Sequence, residues 1–290
     1  SLGCYIGRAF RLDDKDMRLA TLCGMSAVFA ALFGTPLTAT LFALEVISVG
    51  VIYYSALVPC IVASLFALEM ANIFGIAPTH FDVVIEPISE LMLLKVSALA
   101  IVCSLMSTVF CLSMHKTEHL FANLIKNPYL RIAAGGALVV LITAILGTGD
   151  YNGAGMNIIK RAIEEGQAKP DAFFWKLILT AITIGCGFKG GEVVPTFFIG
   201  ATLGCVLGSL LGIPTGFAAA LGLICVFCGA VNCPVASIVL SIELFGSTDL
   251  VYFALACGIA YMLSGYFGLY SSQKIMYSKL KAEFINIHAK

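Results

Sequence analysis

Three observations predict an all-α polytopic membrane fold of broken helices with an internal repeat. The chain is 60% hydrophobic and only 12% charged, far below the roughly 25% charged share of soluble domains. Apolar runs of about 20 residues, long enough to span a bilayer, recur along it, and many are interrupted by Gly, Pro or polar pairs. Two stretches also recur at a nearly constant offset. SLGCYIG (1–7) matches FIGATLG (198–204) at an offset of 197 residues, and GTPLTATLFALE (34–45) matches NCPVASIVLSIE (232–243) at 198. In both copies of the longer stretch the proline (Pro36, Pro234) precedes the glutamate (Glu45, Glu243) by nine residues. A repeat of broken helices is the pattern of secondary transporters, whose sites lie where half-helix ends converge.

Taken in order, residues 1–10 read as the tail of an apolar helix and Arg11 to Arg18 as a charged connector in water. Leu19 to Phe33 is apolar. Pro36 starts a helix expected to run to about Gly50, with Glu45 inside it. Val51 to Gly75 is a span, followed by a loop to about Pro87; Leu91 to Met114 is the next, and His115 to Arg131 reads as a connector. Ile132 to Leu146, a glycine-rich turn at Gly147 to Gly155 and an amphipathic piece at Met156 to Gln167 precede Phe173 to Cys186, a span carrying Lys176. Phe217 to Gly229, a break at Asn232-Cys233-Pro234, a helix to Phe245 and a last span from Leu250 to Phe267 complete a transmembrane domain over 1–273, with repeat blocks near 1–50 and 187–246. Residues 274–290 read as a short tail, and Lys274, Lys279, Lys281 and Lys290 assign it to the cytoplasm by the positive-inside rule.

The stretch Gly185 to Gly212 places a glycine-rich turn, a lone glutamate and a proline at the head of an apolar helix. Gly187, Gly190 and Gly191 relax the backbone and Pro195 fits the first helical turn, so the amides of Glu192 and Val193 are expected to point forward unpaired. Such a terminus attracts an anion through its open N–H groups and the helix dipole. Gly200, Gly204, Gly208 and Gly212 then form a small-xxx-small ridge for close helix packing. Glu192 is the oddity: a carboxylate beside an anion either carries a proton or selects the ion.

Other patterns carry less. Gly185-x-Gly187-x-x-Gly190 fits a dinucleotide fingerprint, but no strand precedes it. Gly147-Thr148-Gly149-Asp150 resembles the GxGD box of membrane aspartyl proteases, a chemistry that needs two aspartates sharing a proton. Cys225-x-x-Cys228 with Cys233 lies in an apolar helix without a histidine near, and the four histidines lie in connectors or the tail, so no metal and no cofactor is expected. The eleven cysteines, an odd number scattered through apolar runs, read as packing rather than a disulfide framework. A formal net charge of zero and the lack of a basic, aromatic-interleaved run argue against nucleic acid. Glu45 and Glu243 are either titrating groups or structural anchors at helix ends. Lys176 either lines an aqueous vestibule or snorkels, and Tyr270 alone reads as an interfacial aromatic.

Together the turn, the repeat and the ending resemble the CLC family of chloride channels and proton-coupled anion exchangers. GFKGGEVVP (187–195) resembles the family's GxFxP loop, the two Pro-to-Glu stretches its repeated helices, and GLYSSQ (268–273) the final helix with its anion-contacting tyrosine. The resemblance implies a CLC-type fold of broken, tilted helices with an inverted-topology repeat. It makes the amides of Glu192 and Val193 and the hydroxyl of Tyr270 anion ligands on a turn formed by Gly190, Gly191 and Pro195. Glu192, Glu45 and Lys176 become candidates for the proton or ion pathway. The family's GxEGP segment, with its gating glutamate, and its serine-bearing anion loop are expected upstream of Ser1, so the chain reads as entered partway through. Val46 stands where many chloride/proton exchangers carry an internal proton glutamate, and Glu192 and Val193 replace the usual apolar residue and phenylalanine. A glutamate after two glycines resembles the bacterial fluoride/proton antiporters. The implied protein is a transporter rather than an enzyme: a homodimer in the bacterial inner membrane whose partners are fluoride, protons and lipid. A chloride-conducting channel or exchanger is the alternative within the family, and an aspartyl protease the alternative outside it.

Overall fold

A computed structural model describes residues 2–84, 87–247 and 250–290; Ser1, with which the first repeat block begins, lies outside them. The helices are α1 (Leu2–Ala9), α2 (Asp14–Phe33), α3 (Pro36–Glu45), α4 (Leu57–Ile73), α5 (Glu90–Leu124), α6 (Pro128–Leu146), α7 (Met156–Lys160), α8 (Ala172–Gly185), α9 (Val193–Leu211), α10 (Thr215–Val231), α11 (Pro234–Phe245) and α12 (Leu250–Leu263). Among the described residues, five helical stretches are long and apolar enough to cross a membrane: α2, Tyr54–Ile73, α5, α6 and α9. The apolar helices α8, α10, α11 and α12 are shorter, as expected of broken spans. Of the residues in α6 only Gly135 is buried, while Val140, Leu141 and Ile145 are exposed. An apolar, fully hydrogen-bonded rod with its side chains outward suits hydrocarbon.

The chain divides into two compact units, one of residues 1–81, 232–250 and 272–289, the other of residues 82–231 and 251–271 with Lys290. In the second unit α10 is buried along its length from Phe217 to Val231 and packs on α9. Their backbones touch at glycines: a Cβ on Gly222 would fall 2.8 Å from the Gly204 Cα, and one on Gly200 2.7 Å from the Leu223 Cα. The first unit repeats the device in α1 and α2, where a Cβ on Gly24 would lie 2.9 Å from the Gly3 Cα. The duplication reaches the backbone angles as well. Gly34 and Asn232, at equivalent places, are both left-handed (φ 73° and 58°), and the next residues, Thr35 and Cys233, share φ −120° with ψ 78° and 75°.

Several boundaries differ from the expectation. The Arg11 to Arg18 connector ends early, because Asp13 caps α2 by accepting from the Lys15 and Asp16 amides, and the helix starts at Asp14. The His115 to Arg131 connector is largely helix: α5 runs unbroken to Leu124, since no Gly or Pro occurs between Glu90 and Asn127. The amphipathic piece is only α7 and a π turn over Arg161–Glu165, and the last span stops at Leu263. α3 stops at Glu45 rather than Gly50, where the β-branched run Val46 to Ile52 favours extended chain. Ser48–Val49 forms β1, paired in parallel with β2 (Lys274–Tyr277), which is antiparallel to β3 (Phe284–His288). Residues 274–290, read as a tail, thus contain a hairpin.

Candidate functional site

α8 ends at Gly185, and Gly187, with φ +108°, turns the chain into an exposed loop that leads to α9. Of the three glycines read as relaxing this loop, only Gly187 takes a positive φ, and the surroundings of Gly190 and Gly191 are open rather than crowded. Glu192 is the N-cap of α9 (φ −96°, ψ −19°), but its side chain makes no capping hydrogen bond. Among the described residues no ion pair joins it to Lys189. The first bond back into the turn is Thr196 N to Glu192 O at 3.4 Å. Pro195, the third helical residue, is buried and has no N–H, so the amides of Glu192, Val193 and Val194 have no acceptor within the helix. Glu192, Val193 and Val194 are half-buried, and Gly190 and Gly191 just before them are exposed. An anion arriving there meets N–H donors and a carboxyl that is not spent on the helix.

Tyr270 lies on a segment of the same unit that is held on both sides. His115 Nε2, from α5, donates to the Gly268 carbonyl at 2.9 Å, and Leu269 N donates to Ala230 O at 2.9 Å. One turn further along α5, the Glu118 amide nitrogen lies 3.1 Å from where a Cβ on Gly185, the last residue of α8, would be. The 115–118 turn of α5 therefore touches both the segment that carries Tyr270 and the end of α8. Sequence reading placed His115 in a connector and missed it. Arg131 of α6 was missed as well: its Nη2 lies 3.7 Å from where a Gly187 Cβ would be, and its Nε is buried with no hydrogen-bond partner among the described residues.

Glu45 and Glu243 belong to a different arrangement, within the first unit. Glu45, at the end of α3, accepts from the Val235 and Ala236 amides at 3.3 and 3.0 Å, the start of α11. Glu243, near the end of α11, accepts from the Leu37 and Thr38 amides at 3.0 and 2.8 Å, the start of α3. Each copy of the repeated helix caps the other, so the two run antiparallel. The carboxylates satisfy orphan amides at the positive helix ends, which is the anchor reading. Replacing either glutamate with alanine is expected to cost about 2 kcal/mol, the loss of a charge-assisted cap. The caps are separated by the length of a ten-residue helix, about 15 Å, so the double variant is expected to lose nearly the sum. Thermal unfolding in detergent measures both.

Lys176 neither snorkels nor faces open water among the described residues. It is 2% exposed, donates to the Tyr151 and Gly153 carbonyls, and sits 5.0 Å from the Phe198 ring centre. These bonds tie the 147–155 turn to α8. Lys176→Met is expected to leave both carbonyls unpaired, at a cost of about 2 kcal/mol, and to open this turn to proteolysis before the helices unfold; limited digestion checks the order of cuts. In the same turn Asp150 pairs with Lys169 at 2.8 Å, which holds its carboxyl below the usual carboxylate range. An aspartate committed to a cation is not half of a proton-sharing dyad.

A repeated, mutually capped helix pair and an open glycine-flanked helix end match two of the three motifs on which the family resemblance rests. A family model described as voltage gated chloride channel matches residues 1–265. The chain belongs to the CLC family. A "Chloride/fluoride channel protein" of Pseudomonas syringae pv. tomato is 37% identical to this CLC chain over 286 residues, 96% of this chain and 63% of that protein. A voltage-gated ClC-type chloride channel of Escherichia coli is 25% identical over 269 residues, covering 86% of this chain and 62% of that one. The solved structure of a CLC-type fluoride/proton antiporter matches at a TM-score of 0.89 and 32% identity, over 94% of this chain and 70% of that one. A slow cyanobacterial Cl⁻/H⁺ antiporter, at 0.70 and 19% over 90% and 64% of the two chains, shares the fold. The chain spans about 63% of the length of the Pseudomonas relative.

Proposed function

We propose that this CLC protein is a fluoride/proton antiporter that exports fluoride across the bacterial inner membrane as a homodimer with a cytoplasmic C-terminus. One observation carries the reading: Glu192 stands at the head of α9 beside open amides, and its carboxyl is used neither to cap the helix nor to pair with Lys189. Fluoride is small and strongly hydrated, so a site that accepts it replaces water with strong donors. The Glu192 and Val193 amides, the Tyr270 hydroxyl and a protonated Glu192 are such donors. A relative named for fluoride as well as chloride, and the likeness to a fluoride/proton antiporter, support this choice over chloride. The lysines of residues 274–290 support the orientation.

The test is ion flux from liposomes carrying the full-length protein and loaded with fluoride or chloride, followed with an ion-selective and a pH electrode. Fluoride efflux with opposed proton movement, and far slower chloride efflux, is expected. Equal chloride efflux, or fluoride movement without proton flux, overturns the reading in favour of a channel.

A further inference from the structure

We infer that the cavity between α2 and the end of α3 holds one acyl chain of an anionic phospholipid whose phosphate lies against Arg18 and Lys274. The site belongs to the first unit, apart from the Glu192 turn, and does not depend on which ion the protein carries. The cavity has a volume of about 380 Å³, within the range of ligand sites and more than twice that of an apolar cavity of roughly 150 Å³ that takes benzene. Its walls are Leu22 on α2, Ala43 and Leu44 on α3, and Val51. Leu22, Ala43 and Leu44 also pack with Ala56 and Cys60 in a buried apolar cluster of the same unit, so the wall is the core itself. Water finds no polar partners on such a wall, whereas a methylene chain gains the dispersion contacts that an empty space forfeits.

The outer side of the cavity has the opposite character. Arg18 and Tyr53 line it and are exposed, and Tyr54 next to them is exposed as well. Side chains with an apolar body and a polar tip suit the membrane–water interface. The register of the short sheet adds a second cation. β1 aligns Ser48, which also lines the cavity, with Lys274, and Val49 with Ile275. Val49 and Ile275 are both buried, and successive side chains on a strand point to opposite faces, so Ser48 and Lys274 share the other face. Nearby carboxylates do not use up these charges. Asp13 is spent on the α2 cap, and among the described residues no ion pair joins Arg18 to Asp14, one turn before it, or Lys274 to any carboxyl. Two uncommitted cations beside an apolar cavity are complementary to a phosphate carried on an acyl chain. A zwitterionic lipid brings its own cation to the same place, so the charge selects an anionic headgroup.

The full-length protein, stripped of lipid in detergent, is titrated with phosphatidylglycerol or with phosphatidylcholine of the same acyl chains and followed by native mass spectrometry. Phosphatidylglycerol is expected to bind about 5- to 30-fold more tightly, the weight of one or two basic residues near anionic lipid. Arg18→Gln with Lys274→Gln is expected to reduce it to the phosphatidylcholine level, and Arg18→Lys with Lys274→Arg to keep the preference. Thr21→Phe fills the cavity from α2, where the lost hydroxyl bonds only to Met17 O of its own helix, and Val51→Trp fills it from another wall. Both are expected to remove the tightest-bound phosphatidylglycerol while the melting temperature stays at the parent's value. Equal binding of the two lipids, or parental phosphatidylglycerol binding in both filled variants, overturns the inference. Palmitate binding as tightly as phosphatidylglycerol overturns it in favour of a free fatty acid. A changed oligomeric state in the filled variants with lipid binding intact overturns it in favour of a second copy of this chain.

Discussion

Glu192→Ala is expected to slow proton-coupled fluoride exchange by about 10- to 150-fold, the kinetic equivalent of losing one charge-assisted hydrogen bond of roughly 1.5–3 kcal/mol. The side chain makes no capping bond and no ion pair with Lys189 among the described residues, so its removal spares the helix and the fold. Glu192→Gln keeps the size and a donor but cannot titrate. It is expected to retain fluoride movement better than alanine while losing coupling, seen as fewer protons moved per fluoride. Flux with paired electrodes reads both quantities, and melting temperature and size-exclusion profile are expected to match the parent. Parental rates and coupling in both variants would make Glu192 a bystander and remove the main support for fluoride.

The largest effect on stability is expected at the crossing of α9 and α10. A side chain at Gly222 meets the backbone of α9 at two successive turns, the Gly200 carbonyl and the Gly204 Cα, and backbone cannot rotate away as a side-chain tip can. Gly222→Val therefore has to separate two helices that form the buried centre of their unit, at a cost at or above the roughly 3 kcal/mol upper end of ordinary overpacking. Loss of monodisperse protein on size exclusion is the expected observation. Gly258→Ala is the control: nothing lies within 4 Å of the added Cβ in α12, so helix propensity, worth up to about 1 kcal/mol, makes it neutral or stabilising. Equal tolerance of both substitutions would mean that the crossing is looser than its glycines imply.

Much of this was legible in the residues. The offset of the two Pro-to-Glu stretches identified α3 and α11, and the backbone angles at Gly34 and Asn232 show how faithfully sequence similarity became structural similarity. Period-four glycines marked the face by which α9 meets α10. Composition located the spans, but not their ends. α5 outran its apolar portion because polarity alone does not end a helix; a breaker does, and none occurs before Pro128. β1 went unseen because a two-residue strand is specified by the distant β2 it pairs with. The candidate turn was visible as Gly-Gly-Glu ahead of a proline, whereas His115 and Arg131 were not. Both lie far along the chain from the residues they approach, Gly268 for His115 and Gly187 for Arg131, and neither sits in a motif.

The crossed glutamate caps also set an order of events during synthesis. The Leu37 and Thr38 amides are capped by Glu243, which the ribosome adds about 200 residues later, a delay of roughly 10–40 s at 5–20 residues per second. Throughout that interval the Leu37 and Thr38 amides lack their final acceptor, and Glu45 waits nearly as long for Val235 and Ala236. Neither half of the duplication can therefore finish its own helix ends. A chain stalled before Glu243 is expected to leave a cysteine placed at residue 38 open to thiol reagents, and one released beyond it to protect that cysteine. Completion of the first copy is thus a late event, timed by the arrival of the second.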